Sequence, residues 1–142
     1  LFSYAHLPVI ADDSGLVVEA LNGEPGIYSA RFAGEEATDE ENVNLLIEKM
    51  QDKTNRTAHF HCSLVYVSEN YINNPIIVES KWRGVISNKK VGNYGFGYDP
   101  VFFLPNFNKT AAELSSIEKN KISHRGQAME LLINKLQSNK LI

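Results

Sequence analysis

Two adjacent carboxylates near the start of the chain, Asp12 and Asp13, are the first side chains with an evident chemistry. Apolar stretches at residues 9–11 and 16–18 enclose them, and this pattern predicts a strand, a polar turn and a second strand. A carboxylate at a strand end can hold Mg²⁺ or orient a water molecule, because hard cations prefer oxygen ligands. Successive side chains of a strand point to opposite faces, so only one of the two is expected in a site. Ordinary turn chemistry is the alternative explanation.

The segment 92–100, with the sequence GNYGFGYDP, alternates glycines with aromatic residues. Glycine lets backbone amides come close to a flat ligand while an aromatic ring stacks on it, so the segment is typical of a nucleobase pocket. It lacks the third glycine of the dinucleotide-binding motif, which argues against a Rossmann site. The alternative is a tight turn whose aromatic residues pack in the core.

Hydrogen-bond donors concentrate in a third segment, where Lys119, Ser123, His124 and Arg125 lie near a predicted junction of two helices. Basic side chains and helix N-termini favour phosphate groups. On charge alone, however, such a run is more often a solvated helix face.

Three other residues point to no second site. His59 and His61 would share one face of a strand, but no third ligand with metal-site spacing accompanies them, so we interpret them as ordinary strand residues. The single cysteine, Cys62, allows no internal disulfide and is expected to be a buried strand residue. Nothing therefore indicates an oxidising compartment, and the cytosol is the expected location.

Composition limits the classes of partner. The 142 residues are 43% hydrophobic and 22% charged, which is typical of one globular domain spanning residues 1–142. With 14 Lys and Arg against 17 Asp and Glu, the net charge of -3 argues against affinity for a nucleic-acid backbone. The apolar runs are far shorter than the roughly 20 residues of a membrane helix. We therefore expect a soluble protein with neither a nucleic-acid nor a membrane partner.

Periodicity predicts the elements that must position these residues. Thr38 and Glu41 form a capping box at the start of a helix over residues 38–53, where apolar residues recur at helical spacing. Residues 57–67 alternate as in a strand and residues 76–86 return as another, so the two are expected to pair as a long hairpin.

The rest of the chain adds loops, a short strand and terminal helices. Residues 27–34 show no period and are expected to be an ordered loop, whereas residues 101–103 predict a short strand. Ser115 and Glu118 form another capping box. The last helix is expected to present one face made of Ala128, Leu131, Leu132, Lys135 and Leu136. Helices and strands mixed in this way indicate an α/β or α+β fold around a sheet.

Four motifs together resemble one known family. In chain order they are ADDSGL at 11–16, GIYSARFAG at 26–34, GFGYDPVF at 95–102 and SHRG at 123–126. They resemble the inosine/xanthosine triphosphate pyrophosphatases, which hydrolyse non-standard purine nucleoside triphosphates. The resemblance covers most of the chain. It implies a two-lobed α/β protein with a long, curved, mixed β-sheet flanked by helices, a homodimer, a Mg²⁺ requirement, and release of the nucleoside monophosphate and pyrophosphate.

The resemblance also implies roles for single residues on the phosphate side and at the base edge. Asp13 would be the catalytic, metal-linked carboxylate that helps to activate the attacking water, and Ser14 would contact the substrate. Lys119 would contact phosphate. His124 and Arg125 would face the edge of the base.

The purine itself would stack on Phe96, with Gly97, Tyr98 and Asp99 completing that wall. A donor aimed at the 6-keto oxygen of hypoxanthine or xanthine gains a hydrogen bond, whereas the 6-amino group of adenine presents another donor. Such a site rejects the wrong base because it leaves buried polar groups unpaired.

The sequence departs from the family at its front. Family members begin with a strand that carries a Ser/Thr-x-Asn-Asn-x-x-Lys loop, followed by a helix and a further acidic metal ligand, and none of these occurs here. Asn73 and Asn74 cannot replace the loop, because they lie in the predicted hairpin turn before Pro75. We therefore expect an N-terminally truncated chain in which part of the triphosphate site is missing.

Two alternatives follow from this departure and from the family's relatives. The chain is either active or a catalytically incomplete, nucleotide-binding fragment of that enzyme. A septum-formation-type pyrophosphatase, which acts on modified pyrimidine nucleotides, is the other enzyme considered, although the Ser-His-Arg and Phe-Gly-Tyr-Asp motifs favour a purine.

Overall fold

A computed structural model describes residues 7–142 of the protein. In this range five strands form one sheet in the order β1-β2-β3-β4-β5. They are β1 Val9–Val18, β2 Thr57–Val67, β3 Ile76–Ile86, β4 Phe102–Leu104 and β5 Lys109–Thr110. Every pairing between these strands is antiparallel, so the described part holds no parallel pair of the expected mixed sheet.

Helices complete the fold and confirm the α/β class. The α-helices of the described range are α1 Asp39–Lys49, α2 Ser116–Ile122 and α3 His124–Ser138. Short 3₁₀ segments occupy Glu19–Leu21, Gly26–Arg31, Glu69–Tyr71, Asp99–Val101 and Ala111–Glu113. None of the helices within residues 7–142 is both long and apolar enough to cross a membrane.

The first strand differs from its prediction. Residues 9–18 form one continuous strand instead of two strands around a turn, and β1 pairs with β2 along its whole length from Val9–Val67 to Val18–Ala58. Asp12 and Asp13 therefore lie in the middle of a strand and not at a strand end. The turn prediction was wrong because pairing with β2 satisfies the backbone groups that an Asx-turn would otherwise satisfy.

The hairpin of β2 and β3 is confirmed with the predicted bounds, Thr57–Val67 and Ile76–Ile86. Ala58, Phe60, Cys62 and Leu64 of β2 are buried on the face that packs against the helices. Cys62 is fully buried, as expected of a structural cysteine. His59 and His61 lie on the other face of the sheet, here called the outer face, where both are half-buried.

Helix α1 has the predicted capping box but ends earlier than predicted. Thr38 Oγ1 accepts from Glu41 N, and Glu41 Oε1 accepts from Thr38 N. The helix stops at Lys49 instead of residue 53, and the Arg56 side chain then donates to the Met50 carbonyl oxygen at 2.9 Å. A cation that binds carbonyls near a helix C-terminus replaces the hydrogen bonds of a further turn.

Helix α3 buries a narrower face than predicted. Its Ala128, Leu132 and Leu136 pack against β2 and β3 in a cluster that contains Cys62 and Leu64. Leu131 is 45% exposed and Lys135 is exposed, so neither belongs to the buried face. The sheet contacts one residue per turn of the helix, at i, i+4 and i+8, and the stripe is therefore only one residue wide.

One predicted loop contains 3₁₀ structure, and one predicted strand is displaced by one residue. The segment predicted as loop 27–34 forms the 3₁₀ helix Gly26–Arg31, in which Ser29 Oγ donates to the Gly26 carbonyl oxygen at 2.6 Å. The same Oγ accepts from Leu16 N at 2.9 Å and ties this segment to β1. Gly15 permits the close approach, because a Cβ there would lie 2.5 Å from the Gly26 oxygen. The strand predicted at 101–103 is Phe102–Leu104, preceded by a 3₁₀ turn.

Candidate active site

The eight residues expected to bind substrate line a single cavity of about 170 Å³, here called the inner cavity. It lies on the helix-covered face of the sheet, between β1, the loop before β4 and the corner of α2 and α3. These residues come from distant parts of the chain and are Ser14, Phe96, Gly97, Tyr98, Asp99, Lys119, His124 and Arg125. A wider cavity of about 640 Å³ adjoins it on the α2 side and shares Phe96, Lys119, His124 and Arg125. The structure therefore brings together every predicted site residue except Asp13.

The loop that carries Phe96 is held by two carboxylates. Asp99 Oδ2 accepts from Phe96 N at 3.1 Å, and Asp39 Oδ2 from α1 accepts from Gly97 N at 2.8 Å. Gly95 has φ +75°, and a Cβ there would lie 2.1 Å from Asp99 Oδ2, so this turn requires glycine. The loop thereby presents the Phe96 side chain to solvent and to both cavities, with 59% of the residue exposed.

Tyr98 anchors the other side of the same loop. Its hydroxyl donates to the Ser29 carbonyl oxygen at 2.6 Å, and the residue is 5% exposed. Burial, assisted by the Asp39 carboxylate, holds the pKa of Tyr98 well above its ordinary value. The phenol is therefore neutral and serves as a donor that joins the loop to the 3₁₀ segment Gly26–Arg31.

Lys119 of α2 is paired with Asp99 beneath the aromatic ring. Its Nζ donates to Asp99 Oδ2, and the two side chains are 13% and 3% exposed. The same Nζ lies 4.4 Å from the centroid of the Phe96 ring, which is a cation–π distance. In this buried position the charge of each side chain is compensated by the charge of the other. Removing either Lys119 or Asp99 would therefore leave an unpaired charge in the cavity wall.

A tight corner between α2 and α3 places His124 and Arg125. Ser123 ends α2 and caps α3, and its Oγ accepts from Gly126 N at 3.1 Å. A Cβ on Gly126 would lie 1.9 Å from the carbonyl oxygen of Asn120, so the corner needs glycine at this position. The SHRG motif is therefore a structural corner that sets two polar residues at the first turn of α3.

His124 is a buried, uncharged ring. Its imidazole stacks on Phe60 with centroids 4.8 Å apart and an interplanar angle of 12°, and the residue is 6% exposed. Burial, with smaller contributions from Arg125 and Lys119, lowers the pKa of His124 to about 4. Its Nδ1 and the Oγ of Ser14 are buried without a hydrogen-bond partner among residues 7–142. Such orphaned polar atoms are rare in folded proteins, and a ligand in the cavity that both residues line would satisfy them.

Arg125 is held by a carboxylate to which the sequence assigned no role. Its Nε donates to Asp12 Oδ2 at 3.0 Å and its Nη2 to Asp12 Oδ1 at 3.3 Å. Its Cζ lies 5.4 Å from the centroid of the Phe96 ring. Asp12 is thus the member of the acidic pair that faces the helices.

Asp13 lies on the outer face of the sheet, apart from the inner cavity. It lines a second cavity of about 130 Å³ together with Gly26, Ile27 and His61. Ser14 and Gly15 line both this cavity and the inner cavity. No group of three or more His, Cys, Asp or Glu residues that could hold a metal ion occurs in the described range. Asp13 could therefore contribute a single carboxylate to Mg²⁺, an ion that proteins often hold by one or two carboxylates plus the phosphate oxygens of a substrate.

Sequence reasoning missed three residues that build the site. Asp12 orients Arg125, Asp39 fixes the Gly97 amide, and Ser29 joins β1 to the loop through Tyr98. Asp12 and Ser29 belong to the quoted motifs, which was the available signal. Asp39 lies in the first turn of α1, and only the tertiary fold shows its partner.

Comparison with known proteins agrees with this geometry. Residues 1–135 match the Ham1 family. The chain is 52% identical over 134 residues to proteins named dITP/XTP pyrophosphatase from Shigella flexneri and from Escherichia coli strain K12, and the match covers 93% of this chain and 68% of each relative.

Solved structures show the same fold. The Staphylococcus aureus Ham1 protein matches with a TM-score of 0.91 and 44% identity, covering 96% of this chain and 70% of that one. A HAM1 protein from Coxiella burnetii matches with a TM-score of 0.89 and 44% identity, covering 94% and 69% of the two chains. The resemblance inferred from four motifs is confirmed, and the chain belongs to the Ham1 family.

Proposed function

We propose that this protein is a hydrolase that converts non-standard purine nucleoside triphosphates, such as ITP, dITP and XTP, to the nucleoside monophosphate and pyrophosphate. One observation carries the proposal: the eight residues expected to bind the substrate line one cavity. The chain belongs to the Ham1 family, and its relatives are named dITP/XTP pyrophosphatase.

The base is proposed to stack on Phe96. More than half of this residue is exposed, so a ring face is available to a planar ligand. The backbone beneath it is fixed by Asp39 and Asp99, and a wall that is already ordered costs little entropy when the ligand binds. Tyr98 and Gly97 complete the wall.

Selection of 6-keto purines is proposed to come from donors at the base edge. The guanidinium of Arg125 carries only hydrogen-bond donors, so it matches a keto oxygen and opposes a 6-amino group. The buried, neutral His124 and Ser14 each have an orphaned polar atom that a correct ligand would satisfy. A base that left these atoms unpaired would bind more weakly.

Hydrolysis is proposed to proceed by attack of water on the α-phosphorus. The bond from the α-phosphorus to the bridging oxygen breaks, and pyrophosphate leaves. Asp13 would accept the water proton at its carboxylate, and Lys119 would contact a phosphate oxygen. Asp13 would also hold Mg²⁺, which when bound would supply positive charge to neutralise the phosphates.

A homodimer and a cytosolic location belong to the same proposal. The outer face of the sheet has an apolar end, where Ile77 is 52% exposed and pairs across the hairpin with Val65. A second copy of the chain that covered Ile77 would remove this apolar side chain from water. Light scattering after gel filtration, with Ile77→Glu as the variant expected to be monomeric, tests the dimer.

The buried Cys62 is consistent with a reducing compartment.

A second candidate function is nucleotide binding without turnover. The separation of Asp13, on the outer face, from the inner cavity on the other face favours it, because base recognition then does not depend on the carboxylate. Under this alternative, the chain binds inosine nucleotides and releases no pyrophosphate.

Pyrophosphate release from ITP and from ATP, measured with Mg²⁺ on this 142-residue chain, tests the proposal. We expect turnover of ITP with little turnover of ATP, and its loss when the metal is chelated. No turnover of ITP, alongside retained binding of inosine monophosphate, would leave the binding function and contradict the hydrolase. Faster turnover of a methylated UTP than of ITP would instead indicate the septum-formation-type activity.

A further inference from the structure

The adjacent carboxylates Asp12 and Asp13 face opposite sides of the sheet, and Asp12 faces the helices. In the ladder Asp12 pairs with Leu64, whose side chain is buried beneath α3. Its two oxygens accept from Nε and Nη2 of Arg125 at 3.0 and 3.3 Å. Because two neighbouring nitrogens are bound by one carboxylate, the plane of the guanidinium is fixed.

This ion pair contributes little to folding, because both side chains are partly open to solvent. Arg125 is 43% and Asp12 38% exposed at the side chain, and exposed pairs are screened. The pair's main physical consequence is therefore the orientation of Arg125. The Nη1 atom takes no part in the pair with Asp12, and the Cζ atom lies 5.4 Å from the centroid of the Phe96 ring.

We propose that Asp12 is a positioning residue that orients Arg125 toward the 6-keto oxygen of the base and so sets the preference for 6-keto over 6-amino purines. This inference rests on the proposed function, in which the base stacks on Phe96. Asp12 acts only through Arg125 and does not touch the substrate. Without it, the guanidinium samples other rotamers, and its donors meet the base edge in only a fraction of them.

The direct test compares the binding of inosine monophosphate and adenosine monophosphate to the wild-type chain and to Asp12→Asn, by calorimetry. The asparagine has the same size but lacks the charge and the second acceptor oxygen. The ratio is the dissociation constant of adenosine monophosphate divided by that of inosine monophosphate. We expect this ratio to fall roughly tenfold in Asp12→Asn, which corresponds to the loss of one charge-assisted contact. Asp12→Glu, which keeps the carboxylate, should restore part of the ratio. An unchanged ratio in Asp12→Asn overturns the inference.

A double-mutant cycle separates positioning from a purely structural role. Arg125→Ala should lower the ratio by itself, and adding Asp12→Asn in that background should have no further effect, because Asp12 acts through Arg125. Additive losses overturn the inference. If Asp12→Asn does not fold, Arg125→Lys replaces it, since lysine keeps the charge but loses the two-point geometry, and it should lower the ratio similarly.

An exposed carboxylate outside both cavities provides the control. Asp52→Asn removes the same charge in the turn after α1 and should leave the ratio of the dissociation constants unchanged. Binding of monophosphates requires no hydrolysis. A chain that prefers inosine monophosphate but does not cleave ITP therefore contradicts the hydrolase and still tests Asp12. A wild-type chain without that preference overturns the inference.

Discussion

The two faces of the sheet at β1 differ in how completely they are built. On the helix-covered face, the inner cavity is braced by hydrogen bonds from β1, α1, α2 and the loop before β4, and its key groups are 2 to 6% exposed, as for Asp99 and His124. On the outer face, Asp13 is exposed beside a small cavity. Rigid, buried groups suit recognition of a base, whereas Asp13, the carboxylate proposed to act in hydrolysis, lies on an open surface. Recognition and chemistry should therefore respond separately to mutation.

The largest expected effect is a loss of ITP hydrolysis without a loss of base binding. Asp13→Asn should lower kcat for ITP roughly 10²–10⁴-fold, which is the usual contribution of a positioned acid–base group. Binding of inosine monophosphate and the midpoint of thermal unfolding should stay unchanged, because the side chain is exposed. Near-normal turnover of this variant would contradict the role assigned to Asp13. Asp52→Asn, an exposed carboxylate in the turn after α1, is the matched control.

Because His124 is buried and uncharged, we expect the free energy of unfolding to fall at acidic pH. Its pKa is about 4 in the folded state against an ordinary value of 6.5, so the unfolded state binds more protons between those values. The free energy of unfolding should be fully maintained above pH 6.5 and should fall by roughly 3 kcal/mol as the pH drops to about 4.

Urea denaturation of the wild type and of His124→Gln across this pH range measures the effect. The variant lacks the titrating ring and should lose less stability on acidification than the wild type does. Parallel pH curves for the two proteins would show that His124 is not the responsible group.

A smaller effect should weaken recognition without unfolding the protein. Phe96→Ala should cost about 1–3 kcal/mol of base binding through lost stacking. The melting temperature should change little, because 59% of the residue is exposed. Phe107→Ala, which removes a ring that is 49% exposed and lies outside both cavities, is the control. Equal KM values for ITP in the wild type and Phe96→Ala would exclude stacking on this ring.

The smallest expected effect concerns the hydrogen bond that joins Tyr98 to Ser29. Tyr98→Phe removes the hydrogen bond to the Ser29 carbonyl and should lower the free energy of unfolding by about 0.5–1.5 kcal/mol. Tyr94→Phe in the same loop should be neutral, because Tyr94 is 66% exposed. Chemical denaturation distinguishes the two, and equal losses would show that the Tyr98 hydroxyl does not brace the loop.

Local signals in the sequence predicted the elements well. The hairpin bounds, both predicted capping boxes and the start of α1 follow from alternation and from Ser/Thr–Glu spacing, which act over a few residues. The four motifs also indicated the family, and the resemblance to that family named eight of the residues that line the inner cavity. The turn expected at residues 12–15 was wrong, because the backbone partners of β1 lie some fifty residues away in β2.

The amino-acid sequence alone thus predicted the periodic elements, the family and eight of the residues that line the inner cavity. Three features of the site became visible only in the folded chain: which of the two adjacent aspartates faces Arg125, how Lys119 pairs with Asp99, and that His124 is buried and uncharged. The reason is physical: strand register sets the face of each side chain, and a register is fixed by pairing with distant residues. The pKa of a ring likewise depends on burial that packing alone supplies.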